Sequence, residues 1–234
     1  MKFLSSLIAL LLSANIAWAI PVHDNTASAG GDTVDQLSYD LSVSGACNNR
    51  LATVSFTIQT NAHFIDNITV GGLTASYVGT ATNTDVSRYV DLWRRVGIGT
   101  GTVTTVITLT DFGTPLAATS SYCDVDQTTP MGTLATASNV NFQASVTVTS
   151  ATGELVIDAV TSGSGSELTV GSGQTQRSNQ TLASSYTLGT SNEPGAASVP
   201  MTWSLSGEDY WAALGVSLKP APLAHHETRI MEVR

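Results

Sequence analysis

The sequence predicts an all-β fold, an antiparallel two-sheet sandwich of about a dozen short strands with a jelly-roll-like architecture. Apolar and polar residues alternate with period two along several runs, whereas the 3.6-residue period of an amphipathic helix is almost absent. The runs are short and separated by Gly, Ser, Asn and Pro, the residues that turn a chain. Each run carries one apolar face, and two stacked sheets bury such faces against each other.

Taken in order, residues 1–19 read as a secretory leader. Lys2 supplies the positive start, Phe3 to Leu12 the apolar segment and Ala17-Trp18-Ala19 the small-residue cleavage pattern. The apolar segment is too short for a membrane-spanning helix. Residues 20–35 alternate poorly and read as an N-terminal tail, followed by one β-sandwich domain over 36–219 and a C-terminal tail over 220–234. Within the domain, short runs fall at 37–43, 66–70, 73–78, 103–110, 116–123, 154–160 and 210–218. Gly71-Gly72 between two of them marks a hairpin. In "RLATVSFTIQ", Ala52, Val54, Phe56 and Ile58 share one face, and Thr53, Ser55, Thr57 and Gln59 the solvent face. In "VNFQASVTVT", Val140, Phe142, Ala144, Val146 and Val148 form the apolar face. In "ASVPMTWSL", Ala197, Val199, Met201, Trp203 and Leu205 do so, with Pro200 opposite them at an edge or bulge, since it cannot donate to a ladder. The Gly/Ser-rich stretch 161–181 reads as long surface loops.

Several phrases, "NNRLATVSF", "VDQTTPMG", "GELVIDAV", "GSGQTQRSNQT" and "EPGAASVPMTWSLSGEDYWAALGVSLKP", together resemble a β-sandwich domain common in secreted bacterial proteins, often as a module of large extracellular chains. The likeness spans roughly residues 37–220 and implies the same fold. It brings no activity and no catalytic residues. The paired cysteines and the double arginine Arg94-Arg95 depart from it.

The formal net charge is −9, and loss of Lys2 with the leader makes it more negative. That balance argues against nucleic acid and anionic membranes, which both require clustered Lys and Arg. Cys47 and Cys123, in an exported chain, most simply form one disulfide, worth roughly 4 kcal/mol in the chain-entropy model. A metal site is the weaker reading of the pair, because neither cysteine has C-x-x-C spacing.

"RYVDLWRRVG", residues 88–97, is the densest cluster of charge and aromatic rings. Val86, Val90, Leu92 and Val96 share the core parity, so Tyr89, Asp91, Trp93 and Arg95 point outward. Arg94 has core parity and must reach water or an acid near the strand end. Outward aromatic faces could stack on sugar rings, with Asp91 and Arg95 bonding the hydroxyls. The alternative is a plain strand whose rings are covered and whose charges pair. Trp211 likewise reads as outward, beside Glu208 and Asp209, with Tyr210, Ala212, Leu214, Val216 and Leu218 as the apolar set. Trp93 and Trp211 would form one platform only on neighbouring strands of one sheet.

Glycosidase chemistry needs two carboxylates across a cleft, and Asp124, Asp126, Glu208 and Asp209 are the available acids. Acids beside turns more often cap the backbone, bind calcium or are simply solvated. No cofactor is expected, and structural calcium is the one ion the acids admit. Of the four histidines, His23, His225 and His226 fall in the tails and leave only His63, so neither a triad nor a zinc site is supported. Asn67-Ile68-Thr69 and Asn179-Gln180-Thr181 match the glycosylation pattern, relevant only in a cell that glycosylates.

The features point first to a secreted, non-catalytic structural or adhesive protein that self-associates by strand addition through its N-terminal tail. A carbohydrate-binding module using the surface aromatics comes second, and a secreted glycan hydrolase third. The expected partners are further copies of the chain or extracellular matrix and polysaccharide, not nucleic acid and not a membrane.

Overall fold

The structure, a computed structural model, describes residues 18–59, 64–163, 165–182 and 185–222. Every regular element among them is a β-strand, and every strand pairing is antiparallel. The first nine are β1 (Val22–Gly30), β2 (Val34–Val43), β3 (Leu51–Gln59), β4 (Ile65–Val70), β5 (Leu73–Thr74), β6 (Ser76–Asn83), β7 (Arg88–Val96), β8 (Gly101–Gly113) and β9 (Leu116–Cys123). The last six are β10 (Ala135–Val148), β11 (Leu155–Ser162), β12 (Leu168–Val170), β13 (Thr175–Leu182), β14 (Tyr186–Pro194) and β15 (Val199–Leu218).

β1–β9 build the expected sandwich. A central sheet in the order β1-β9-β3-β7-β6 packs against an outer sheet in the order β2-β8-β4-β5. The chain alternates between these two sheets as a jelly roll does. Between them lies a core that includes Leu41, Val54, Phe56, Ile68, Val70, Val103 and Ile107. The β4–β5 hairpin closes as the Gly71-Gly72 pair requires, with φ of 62° and 75° at the two turn positions. Cys47 and Cys123 are bonded, with their Cα atoms 5.1 Å apart.

The remaining strands add a layer beyond the two that alternation suggests. A third sheet, β10-β15-β11-β14-β13 with β12 also on β15, covers the other face of the central sheet. Leu51, Val90, Leu92, Leu116 and Tyr122 meet Ile157, Tyr186, Leu188, Leu214 and Val216 there. The central strands are therefore buried on both faces, and Thr53, Ser55 and Thr57 are interior rather than solvated. They are tolerated because hydroxyls find partners: Thr57 Oγ1 donates to Tyr89 O at 2.7 Å and lies within hydrogen-bond distance of Thr161 Oγ1 at 3.1 Å.

The 20-residue strand β15 bends. Gln143 pairs with Ser204 and Asn141 with Asp209, so residues 205–208 bulge opposite the single Phe142. Beyond the bulge, β10 and β15 fold back over the outer face of their own sheet. Val146 and Val148 come to lie over Gly215, where a Cβ would stand 2.6 Å from Val148 Cγ2. Trp203, Met201 and Leu168 complete a third core on that face. Pro200 lies where β15 has β10 as its one strand neighbour, so its missing N–H removes no ladder bond.

Several expectations are corrected. Residues 20–35 are not a free tail: β1 pairs with β9 along its length, and Val34 opens β2. The stretch 161–181 contains β12 and most of β13 rather than loops alone. The bulge shifts parity, so Val140, Phe142 and Tyr210 are exposed although alternation assigned them to the core. At the other end, Trp18 bridges Pro222 and the Ala19 N–H donates to Ala221 O, so the start of the expected C-terminal tail is also engaged. The leader up to residue 17 and residues 223–234, with His63, His225 and His226, lie outside the described residues. Among the described residues, no helix is long and apolar enough to cross a membrane.

Candidate functional site

Because β7 runs through the middle of the molecule between β3 and β6, most of "RYVDLWRRV" is interior. Tyr89 and Asp91 are buried, not outward. Tyr89 faces the core shared with the outer sheet, tilted against Phe56 at a centroid distance of 6.4 Å. Burial pushes its phenol well above the ordinary range. Arg88 is buried as well, its Nη2 donating to Gly163 O at 2.8 Å and Ser185 O at 3.0 Å, with its guanidinium 4.9 Å from the Tyr186 ring centre. Trp211 is interior too: it packs in the core beneath the folded-back strands and donates from Nε1 to Asn141 Oδ1 at 2.9 Å. Trp93 and Trp211 stand in different sheets, so the two form no common platform.

Only the last third of β7 emerges. There Trp93 is half-buried, and its strand partner across the register is Tyr77 of β6. β6 is the edge of the central sheet and carries a bulge between Tyr77 and Gly79. The two rings lie 5.0 Å apart, tilted by 59°, and Tyr77 is 47% exposed. Burial, and next the Asp91 carboxylate, raise the Tyr77 phenol, against a hydrogen bond with Thr80, so it stays protonated at neutral pH. The residues beyond Trp93 are Arg94, opposite Ser76, and Arg95, whose Nη1 reaches Thr74 O at 3.5 Å. Among the described residues, Arg95 Nε and Trp93 Nε1 are buried without a hydrogen-bond partner.

A small concavity of about 80 Å³ is lined by Ser76, Arg94, Arg95, Val96, Gln127, Thr128 and Pro130, although the Arg94 and Arg95 side chains leave the strand on opposite faces. Its far wall is the segment after β9, held in place by Asp126. That carboxylate accepts from the Thr128 N–H at 2.7 Å and the Thr129 N–H at 3.0 Å, and these bonds hold it below the usual carboxylate range. Gln127 donates to Val125 O at 2.8 Å. Tyr77, Arg94, Gln127 and Thr128 escape sequence reasoning as site residues, because they are brought together by an edge pairing and a loop far along the chain. The double arginine, already unusual as sequence, is the one signal that marks the place.

The proposed hydrolytic acids do not face one another. Asp124 and Asp126 lie by Lys219 and Ala221, whereas Glu208 and Asp209 lie at the β15 bulge, roughly 30 Å along the strand. Among the described residues, no three His, Cys, Asp or Glu side chains converge to hold a metal ion. A second concavity of about 500 Å³ is lined by Trp18, Ile20, Asp126, Glu154 and Lys219.

No family model, curated protein or solved structure matches this chain.

Proposed function

We propose that this is a secreted, non-catalytic adhesive domain that holds glycan chains on the exposed ends of β6 and β7. The observation that carries the reading is the Tyr77–Trp93 ring pair at an open sheet edge, with Arg95 on the same face of β7 as Trp93. Aromatic faces supply flat apolar area for sugar rings, and arginine forks supply the directional hydrogen bonds. The leader pattern and the Cys47–Cys123 bond support export. After cleavage at Ala19 the tryptophans are Trp93, Trp203 and Trp211, of which Trp203 and Trp211 are buried. Tryptophan fluorescence therefore reports on Trp93. Titration with polysaccharides should shift the emission, and Trp93→Ala or Tyr77→Ala should abolish binding with the melting transition retained. Absence of binding across a broad glycan array would overturn the reading.

Self-association is a second reading, favoured by one observation: Val140, Phe142 and Tyr210 form an exposed apolar group at the β10–β15 bend, with Phe142 60% exposed. Strand addition at the β10 edge is disfavoured by Asn139 and Asn141, whose side chains already accept from the Val140 and Gln143 N–H groups. Side-chain contact is then the route. Light scattering of the cleaved protein tests it, and Phe142→Ser should dissolve any oligomer; a monomer at all concentrations would remove this reading.

A further inference from the structure

We infer that Gln174 and Ser191 join through an ester bond between their side chains, an autocatalytic cross-link with Asp158 as general base and ammonia as the leaving group. The inference is independent of the glycan reading and uses none of its residues.

The three side chains meet in the third sheet. Asp158 of β11 shares the parity of Val156 and Val160, so it points into the core beneath the fold-back. Ser191, its register partner on β14, donates its hydroxyl to Asp158 Oδ1 at 2.6 Å, while the Trp203 indole holds Oδ2 at 2.7 Å. Gln174 stands at the entrance to β13, the edge strand beside β14. Its Nε2 donates to Ser191 Oγ at 2.8 Å. Its Oε1 accepts from the Thr202 N–H at 2.6 Å and from the Thr202 hydroxyl at 3.4 Å. A backbone N–H can only donate, so the amide oxygen must face Thr202 and the nitrogen must face Ser191. Gly171 permits this approach: a Cβ there would stand 2.0 Å from Thr202 Oγ1 and 2.7 Å from Gln174 Oε1.

An acyl transfer needs a nucleophile bonded to a base and a carbonyl whose oxygen meets fixed donors, and the cluster supplies both. The Gln174 carbonyl carbon is one C–N bond (~1.33 Å) beyond Nε2, so it lies no farther than about 4.1 Å from Ser191 Oγ. A shift of at most about 1 Å brings it to the attack distance of roughly 3–3.5 Å. Burial lifts the Asp158 pKa to about 6 against the bonds from Ser191 and Trp203, and Glu193, the other acid that bears on it, raises it further. At neutral pH Asp158 is therefore a carboxylate of enhanced basicity. It takes the hydroxyl proton as Ser191 Oγ bonds to the carbonyl carbon, and the Thr202 donors hold the oxyanion on Oε1. Collapse breaks the bond to Nε2, which receives the proton from Asp158 and departs as ammonia. One hydroxyl and one primary amide become one ester and one ammonia, with no oxidant or cofactor. Asp158 and Ser191 are buried, which keeps competing water from the bond, whereas Gln174 is only partly buried and leaves ammonia a way out. The product ties an edge strand covalently to its neighbour.

The test is the intact mass of the cleaved, disulfide-bonded protein after prolonged incubation in its folded state. The expected mass is lower than the sequence requires by one ammonia per chain, about 17 Da. Arg177 lies between the two residues, so trypsin after reduction should release the Gln174 and Ser191 peptides still joined, and alkaline hydroxylamine should separate them. Ser191→Ala, Gln174→Ala and Asp158→Asn should each keep their full mass. The joined peptides are read on the unaltered protein, so misfolding of a variant does not obscure the result. Full mass in the unaltered protein overturns the inference. An ammonia loss confined to one peptide assigns it to a cyclised asparagine and overturns it as well. So does joining that persists in Ser191→Ala or proceeds at the parental rate in Asp158→Asn.

Discussion

Asp158 carries a titration that the interior controls. It is buried under the fold-back, where Oδ1 accepts from the Ser191 N–H at 2.9 Å and hydroxyl at 2.6 Å, and Oδ2 from the Trp203 indole at 2.7 Å. Those three bonds favour the carboxylate, but removal from water outweighs them and lifts its pKa from 3.8 to about 6. Between those values the folded chain keeps a proton that the unfolded chain releases. Stability therefore falls as pH rises from about 4 to 6, by up to about 3 kcal/mol from this group. His23 runs the opposite way: burial lowers its pKa from 6.5 to about 4, so its contribution is lost as pH falls through that window. Comparing melting curves of the unaltered protein and Asp158→Asn at successive pH values separates the two. The substitution should lower stability at pH 4, where it disturbs the Trp203 bond, and should lower it less at pH 7. A constant difference across the range would contradict a raised Asp158.

At the scale of single strands, alternation was legible wherever a strand is straight and continuously paired. The run 116–123 matches β9, and the Gly71-Gly72 hairpin closes β4 onto β5. Alternation misleads at the β10–β15 bulge, because residues 205–208 against one partner reverse which side chains face inward. Val140 and Phe142 continue the apolar pattern of Ala144, Val146 and Val148 in sequence, but they lie beyond the bend. A bulge of this size leaves no mark a period-two count can read. The consequence is measurable in two aromatic residues of similar sequence setting. Trp203→Ala empties the core under the fold-back and should cost about 3–5 kcal/mol in denaturant unfolding. Phe142→Ser removes an exposed ring and should stay within about 0.5 kcal/mol of the parent. Equal costs would mean that the bend is not where the register places it.

For the whole molecule, the layer count was the part the sequence held back, and the reason is chemical. A Thr/Ser face reads as solvated, yet small hydroxyl side chains pack at a sheet interface once they bond to backbone or to each other, as Thr57 with Thr161 and Thr105 with Thr119 show. The central sheet is therefore amphipathic in composition and buried on both sides, and the residues that seemed to be a platform are divided between them, Tyr89 facing the outer sheet and Arg88 and Val90 the third. What stayed legible is the disulfide, since pairing Cys47 with Cys123 needed only an exported chain with two cysteines. In the fold it ties the entry to β3 to the exit of β9, two neighbouring strands of the sheet on which both other layers rest. The separation of 76 residues gives about 4 kcal/mol of unfolded-state restriction. In a chain of this size that corresponds to roughly 10 °C of melting temperature. Cys47→Ala with Cys123→Ala should lower the transition by that amount and leave it single, because all three layers share the central sheet and unfold together. Two separated transitions would instead show that the third sheet and the jelly roll are independent bodies. The bond would then protect only the half that contains both cysteines.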